Sequence, residues 1–137
     1  MMLSALILQG YGEKEDLNCA EKILYGANQV YHLGLDQQAL KMAAGFGGGM
    51  AIESVCGALT ASIMVLGYLF VNRNAHESSR IKNLTQELFI TYKQEMNSIN
   101  CDALKAEHRT EELKCRNVIA KAADILDKII ERENLIC

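Results

Sequence analysis

The segment from Val55 to Val71 constrains the fold more than any other part of the sequence, because its 17 residues include no charge. It is apolar on every side of a helical projection, so no face of such a helix suits water. A membrane-spanning helix needs about 20 apolar residues, and this segment is at the lower end of that range. The neighbouring segments are amphipathic. We therefore predict a central buried helix, with a non-catalytic structural or membrane-associated helical module as the alternative.

The rest of the chain also favours helices. It contains no proline and no long alternation of apolar and polar residues, the pattern that a half-buried strand leaves. Helices are predicted from about Leu17 to Tyr31, from Asp36 to the glycines that begin at Gly45, from Val55 to Val71, from the end of the polar link near Ser79 to about Asn97, over Cys101–Leu104, and from about Glu111 to Asn134. The predicted fold is all-α, a compact bundle of about five to six helices around the central apolar helix. Residues 1–137 would form a single domain, with 1–15 as a variable N-terminal segment.

Composition excludes several classes of function. Half of the residues are hydrophobic, 23% are charged and the formal net charge is −3, which is typical of a globular protein. Lys and Arg are dispersed along the chain and aromatic residues are few, so nucleic acid is not an expected partner. The apolar stretch from Met1 to Gly10 lacks the basic start and the cleavage site of a signal peptide. The expected location is the cytoplasm, where ordinary thiols stay reduced.

Four of the five cysteines lie where helices are predicted to begin. These cysteines, each with its preceding capping candidate, are Cys19 (Asn18), Cys56 (Ser54), Cys101 (Asn100) and Cys115 (Thr110). The first amides of a helix are unpaired and carry about half a positive charge, which favours thiolate over thiol. Thiolate is the form that attacks disulfides and binds metals. Four thiols in such positions indicate sulfur chemistry rather than packing, whereas the terminal Cys137 is interpreted as an incidental thiol.

The spacing of the cysteines narrows the chemistry. No two of them form a C-x-x-C pair, so both the thioredoxin-type motif and the zinc knuckle are absent. Acting together would require the fold to gather thiols from separate helices. The glycine-rich segment from Gly45 to Gly49 has no lysine or serine that would complete a phosphate-binding loop. We expect it to turn the backbone sharply beside the thiols and to expose amides that bind sulfide or a small anion.

Several stretches of the chain share a recognisable pattern. They are Asn18-Cys19-Ala20-Glu21, the glycine-rich Ala44 to Met50, Cys56-Gly57-Ala58-Leu59-Thr60-Ala61, Cys101 with Leu104, and Cys115. The pattern resembles the family of redox-active proteins with a C-GCAxxG-C-C cysteine motif, small bacterial and archaeal proteins with four characteristic cysteines. The resemblance extends from about Leu17 to Glu131, and Ala61 stands where the family's motif ends in glycine. It implies a redox role for Cys19, Cys56, Cys101 and Cys115.

Two chemical hypotheses remain for these four cysteines. In the first, they transfer electrons by thiol–disulfide exchange: one thiolate attacks an oxidised partner and a second thiol resolves the mixed disulfide. Cys56 is predicted to attack, because Gly57 and the glycine-rich segment would leave it least shielded, and Cys19, Cys101 or Cys115 would resolve. In the second, Cys19, Cys56, Cys101 and Cys115 together bind zinc or an iron–sulfur cluster. The redox partner is not indicated, and a homodimer is compatible with the apolar central helix.

Overall fold

The computed structural model describes residues 2–136, with side chains as far as Asn134, and these residues form seven α-helices. The helices are α1 (Leu3–Leu8), α2 (Cys19–Val30), α3 (Gln37–Leu40), α4 (Gly57–Phe70), α5 (Arg80–Met96), α6 (Cys101–His108) and α7 (Arg116–Ile136), with short 3₁₀ stretches at Lys41–Phe46 and Ala75–Glu77. Over the same residues there is no strand, only two isolated β-bridges. The all-α prediction is confirmed. The number of helices is larger than the five to six predicted, because α1 forms in the N-terminal segment. Cys137 lies outside the described residues.

The uncharged helix α4 is central, as predicted. It contacts α2, α5 and α7. Its buried residues are mostly small or aliphatic: Gly57, Ala58, Leu59, Ala61, Ser62, Val65 and Leu66. The hydroxyl of Ser62 donates to the carbonyl of Ala58 at 2.6 Å, so this buried polar group is satisfied inside the helix. Among the described residues, none of the helices combines the length and the apolar character that crossing a membrane requires.

The N-terminal helix α1 is held against α7 by a buried carboxylate. Asp127 of α7 is 2% exposed and accepts the amides of Leu3 at 3.0 Å and Ser4 at 2.9 Å. The hydroxyl of Tyr31 donates to the same carboxylate. These amides belong to the helix start, where the backbone leaves N–H groups unpaired. A six-residue helix has too few turns to show a period in the sequence, so nothing local predicts it.

The starts of α2 and α6 agree with the prediction. The side chain of Asn18 accepts the amide of Glu21, and the carboxylate of Glu21 accepts the amide of Asn18, both at 2.9 Å. This reciprocal capping box puts Cys19 at the first position of α2. Asn100 occupies the cap position of α6 and Cys101 follows it, although the side chain of Asn100 makes no capping hydrogen bond.

The start of α4 differs from the prediction. Ser54 is not the cap, because the helix begins at Gly57 and Cys56 itself holds the cap position. The backbone of Ser54 and Cys56 pairs with a distant segment instead. The carbonyl of Ser54 accepts the amide of Cys101 at 2.6 Å, and the amide of Cys56 donates to the carbonyl of Ile99 at 2.9 Å. This short pairing fixes the starts of α4 and α6 side by side.

The last helix also begins later than predicted, at Arg116 rather than at Glu111. The residues before it close into a turn, in which Thr110 and Lys114 exchange backbone hydrogen bonds of 2.8 and 3.3 Å. Lys114 has a φ of 54°, which a right-handed helix excludes. Cys115 therefore stands just before α7 and not one turn into it, so the predicted capping by Thr110 of a helix that contains Cys115 is wrong.

Candidate thiol site

The starts of α2, α4, α6 and α7 converge on one cavity of about 230 Å³. Its lining includes all four cysteines that the sequence singled out: Cys19, Cys56, Cys101 and Cys115. All four are free thiols; Cys56 and Cys101 are buried, whereas Cys19 and Cys115 are partly exposed. The fold thus gathers thiols that lie far apart in the sequence, as joint chemistry requires.

Cys19 and Cys56 interact directly through their side chains. The thiol of Cys56 donates a hydrogen bond to the sulfur of Cys19, and this bond is the main cause that lowers the pKa of Cys19 from 9.0 to about 6. Burial opposes the change, but hydrogen bonds from the amides of Gly48, Ala20 and Gly57 add to it. Cys19 is therefore a thiolate at neutral pH.

The same contact has the opposite effect on Cys56. The hydrogen bond to Cys19 raises the pKa of Cys56, and burial and the charge of Cys19 raise it further. At 4% exposure, Cys56 is the most buried of the four thiols, so the prediction that it is the least shielded is wrong. The space left by the missing side chain of Gly57 is occupied by the sulfur of Cys19 and is not open to a ligand. A Cβ there would lie 2.7 Å from Cys19 Sγ and 2.6 Å from the carbonyl oxygen of Phe46.

Cys101 and Cys115 complete the thiol lining. Burial raises the pKa of Cys101, and the positive charge of Lys105 opposes this only in part. Cys115 precedes the first residue of α7, and its carbonyl accepts the amide of Ile119 at 2.9 Å, the first turn of that helix. The cavity therefore combines one thiolate, Cys19, with two thiols, Cys56 and Cys101, that hold their protons at neutral pH.

The glycine-rich segment follows the edge of the cavity in a left-handed conformation. Residues 48–51 all have φ between 62° and 65°, a region that glycine adopts without steric cost. A Cβ on Gly49 would lie 2.8 Å from the Cβ of Cys101, so only glycine allows this approach. The turn brings the amide of Gly48 to the sulfur of Cys19. This confirms the prediction that the segment turns sharply beside the thiols. The amide of Gly48 donates to the sulfur of Cys19, whereas binding of sulfide or a small anion stays a prediction.

Four basic side chains also line the cavity, and none of them was predicted as a site residue. They are Lys22, Lys105, Arg109 and Lys114. A local signal was nevertheless present. Lys22 lies three residues after Cys19 on α2. Lys105 lies four residues after Cys101 on α6. Both spacings put two side chains on the same face of a helix. The basic residues look dispersed in the sequence because they come from α2, from α6 and its C-terminal end, and from the turn before α7.

Tyr92 lies in the core next to the thiols. It is fully buried, and its hydroxyl donates to the carbonyl of Val118 at 3.0 Å, which ties α5 to the start of α7. Burial is the main cause of its raised pKa, and the neighbouring cysteines add to it as they ionise with rising pH. The hydroxyl therefore stays protonated at neutral pH, and Tyr92 is a poor acid for a leaving thiolate.

The arrangement of the thiols does not match a metal site. Among the His, Cys, Asp and Glu side chains of the described residues, no group of three or more is placed to hold a metal ion. A zinc or iron–sulfur site needs thiolates around one centre, with metal–sulfur distances of about 2.3 Å for zinc. Between Cys19 and Cys56 there is instead a hydrogen bond. The hypothesis of a four-cysteine metal or cluster site therefore gains no support from this geometry.

Alanine at position 57 is expected to disturb the thiolate, whereas alanine at position 67 of the same helix is not. The new Cβ of Gly57→Ala would displace the sulfur of Cys19 from its amide donors, so the pKa of Cys19 should rise above 6. A Cβ at Gly67 meets no atom within 4 Å, and Gly67→Ala should stabilise the helix by about 0.5–1 kcal/mol. The pH dependence of Cys19 alkylation checks both variants. An unchanged midpoint in Gly57→Ala would contradict the close contact.

Comparison with known proteins identifies the family. A family model described as "Putative redox-active protein (C_GCAxxG_C_C)" matches residues 17–129, which include the four cavity cysteines and the glycine-rich segment. No curated protein and no solved structure matches the chain. The resemblance seen in the sequence is thereby confirmed over most of its length. The chain belongs to the C_GCAxxG_C_C family of putative redox-active proteins.

Proposed function

We propose that the protein is a dithiol oxidoreductase in which Cys19 attacks a disulfide and Cys56 resolves the product. The observation that carries the proposal is the polarised pair. Cys19 is a thiolate held by the thiol of Cys56 and by three amides. Membership of a redox-active family supports the same chemistry. Cys19 replaces Cys56 as the attacking residue, because Cys56 is more buried and keeps its proton at neutral pH.

The reaction proceeds in two exchanges. The Cys19 thiolate attacks one sulfur of a disulfide R–S–S–R; a bond forms between the two sulfurs, the substrate S–S bond breaks and one RS⁻ leaves. The thiol of Cys56 then gives its proton to a departing thiolate and attacks the sulfur of Cys19, which releases the second R–S group. The products are a Cys19–Cys56 disulfide, one RS⁻ and one RSH. The protein has lost two electrons and the substrate has gained two.

The order of these exchanges follows from the hydrogen bond between the two thiols. Two of the three effects that raise the pKa of Cys56 come from Cys19, namely the hydrogen bond to its sulfur and its negative charge. Both disappear when Cys19 carries a mixed disulfide, so that only burial still opposes ionisation of Cys56. Cys56 therefore loses its proton more easily after Cys19 has reacted, which favours resolution over an independent attack.

The lowered pKa gives its largest kinetic advantage below pH 7. At pH 7 a pKa near 6 instead of 9 raises the thiolate fraction about 90-fold, but the more acidic sulfur is a roughly 16- to 30-fold weaker nucleophile. The net gain is only about 3- to 6-fold. At pH 6 the thiolate fraction rises about 500-fold, and the net gain becomes about 15- to 30-fold. The same low pKa also makes Cys19 a good leaving group when the disulfide is reduced again.

Cys101 and Cys115 are proposed to return the Cys19–Cys56 disulfide to the dithiol. They line the same cavity, which supports direct exchange among the four sulfurs. Cys115 is partly exposed, so it is the member of this pair that an external reductant reaches. In this proposal the oxidising equivalents leave the site as a Cys101–Cys115 disulfide, which a partner in a reducing compartment such as the cytoplasm then reduces.

The pH dependence of alkylation tests the proposal. The rate at which iodoacetamide modifies Cys19, followed by mass spectrometry of its peptide, should be half-maximal near pH 6 and level above pH 7. An ordinary cysteine thiol, with a pKa of about 8.5, continues to gain reactivity beyond pH 9. Mild oxidation should then yield the Cys19–Cys56 cross-link first. A midpoint near 9, or a first cross-link that excludes Cys19, would contradict the assignment.

A further inference from the structure

The charge of the cavity is opposite to that of the whole chain. The protein has a formal net charge of −3, yet four basic residues line the cavity and no carboxylate among the described residues does. The basic residues are Lys22, Lys105, Arg109 and Lys114. Within the part of the chain that the structure describes, none of the four takes part in an ion pair. Four positively charged residues therefore contribute to the lining of the cavity that contains the Cys19 thiolate.

The lining also has an apolar part. Leu104, Val118 and Ile119 are buried residues that contribute to the cavity wall. The volume of about 230 Å³ is below the range of roughly 300–1,000 Å³ that is typical of pockets for drug-sized ligands. A molecule that suits this cavity is short, has an aliphatic body and carries negative charge at its ends, and one arm of it would fill the space.

We propose that the substrate of the Cys19 thiolate is a small anionic disulfide whose aliphatic arms end in carboxylates. This inference rests on the proposed function and names the substrate class of the same site. The carboxylates would bind the cationic side chains, with Arg109 able to make two parallel hydrogen bonds. Cys19 attacks the nearer sulfur, the substrate S–S bond breaks, and one arm leaves as a carboxylate-bearing thiolate. The other arm stays on Cys19 until Cys56 displaces it.

Three disulfides of similar length test the charge preference: dithiodipropionate is anionic, hydroxyethyl disulfide is neutral and cystamine is cationic. Each rate constant with the full chain is divided by the rate constant with mercaptoethanol, which removes intrinsic reactivity. We expect the normalised rate to be about 10-fold higher for the anionic than for the neutral disulfide at low salt, and lowest for the cationic one. In 1 M salt the Debye length is about 3 Å, and the preference should fall below about 3-fold.

Two matched variants distinguish the effect of the cavity charges from the effect of the net charge of the protein. Combining Lys22→Gln, Arg109→Gln and Lys114→Gln removes two lysines and one arginine from the lining. The control combines Lys82→Gln, Lys93→Gln and Arg73→Gln, the same change in charge at residues that do not line the cavity. The cavity variant should lose the anionic preference, to less than about 2-fold, and the control should keep it. Equal preference in the two variants would overturn the inference.

A binding measurement makes the inference independent of the redox chemistry. Suberate has the length and charge of dithiodipropionate but carries two methylene groups in place of the S–S bond, so it cannot react. It should shift the methyl NMR signals of Val118 and Ile119 in the full chain, whereas octanediol should not. Binding of suberate without any Cys19-dependent exchange would refute the proposed function and support the anionic site. Cys19-dependent exchange with no charge preference and no suberate binding would refute the anionic site and support the proposed function.

Discussion

Replacing Cys19 with serine should lower the rate of disulfide exchange at pH 6 at least about 15-fold. A serine hydroxyl is not ionised at this pH, so the attacking thiolate is lost. The remaining buried thiols cannot take its place. Burial still raises the pKa of Cys56 in this variant, as it raises that of Cys101, so both thiols keep their protons at pH 6. The measurement is the second-order rate constant with hydroxyethyl disulfide, followed by release of the free thiol.

Cys115→Ser is the matched control for this loss. Cys115 is also partly exposed and lines the same cavity, but it receives no hydrogen bond from Cys56. The first exchange in this variant should stay within about 3-fold of the wild-type rate. Both substitutions put serine at a helix start, where it is well tolerated, and circular dichroism verifies that the helices form. If Cys19→Ser keeps more than a tenth of the rate and Cys115→Ser does not, the attacking residue is Cys115.

Much of the fold follows from local patterns in the sequence, and the exceptions depend on distant partners. The uncharged stretch of α4 and the Asn18–Glu21 capping box of α2 are local, and both are predicted correctly. Helix α1 depends on Asp127, a carboxylate 124 residues away from Leu3, whose amide it binds. No window of sequence around α1 contains that information.

The candidate site likewise has features that local sequence predicts and features that depend on distant residues. The four thiols could be recognised because helix starts have local signals, but the identity of the thiolate could not. It depends on a hydrogen bond between α2 and the start of α4 and on the amide of Gly48 from a third segment. Gly57 shows the difficulty most clearly. Its missing side chain suggests an open approach to Cys56, whereas the space is filled by the sulfur of Cys19.

Removing the thiol of Cys56 should trap the reaction at its intermediate. Both Cys56→Ala and Cys56→Ser lack the sulfur that displaces the second arm of the substrate. With hydroxyethyl disulfide, the mixed disulfide on Cys19 should therefore persist at least about 10-fold longer than in the wild type. Intact mass spectrometry detects it as one added arm per chain, and peptide mapping places it. A Cys19–Cys101 or Cys19–Cys115 cross-link that forms at the wild-type rate would show that Cys56 does not resolve.

The two substitutions at position 56 should differ in their effect on the first exchange. Alanine removes the hydrogen bond that contributes most to the low pKa of Cys19, so the midpoint of its alkylation should rise from about 6 toward the usual range. Serine keeps a hydroxyl that can donate to the sulfur, and the rise should be smaller. A higher pKa means less thiolate at pH 6, and this loss exceeds the gain in nucleophilicity, so Cys56→Ala should react more slowly there than Cys56→Ser. The order should reverse near pH 10, where Cys19 is ionised in both variants and the sulfur with the higher pKa is the stronger nucleophile. A midpoint that stays near 6 in Cys56→Ala would assign the thiolate to the amides of Gly48, Ala20 and Gly57 alone.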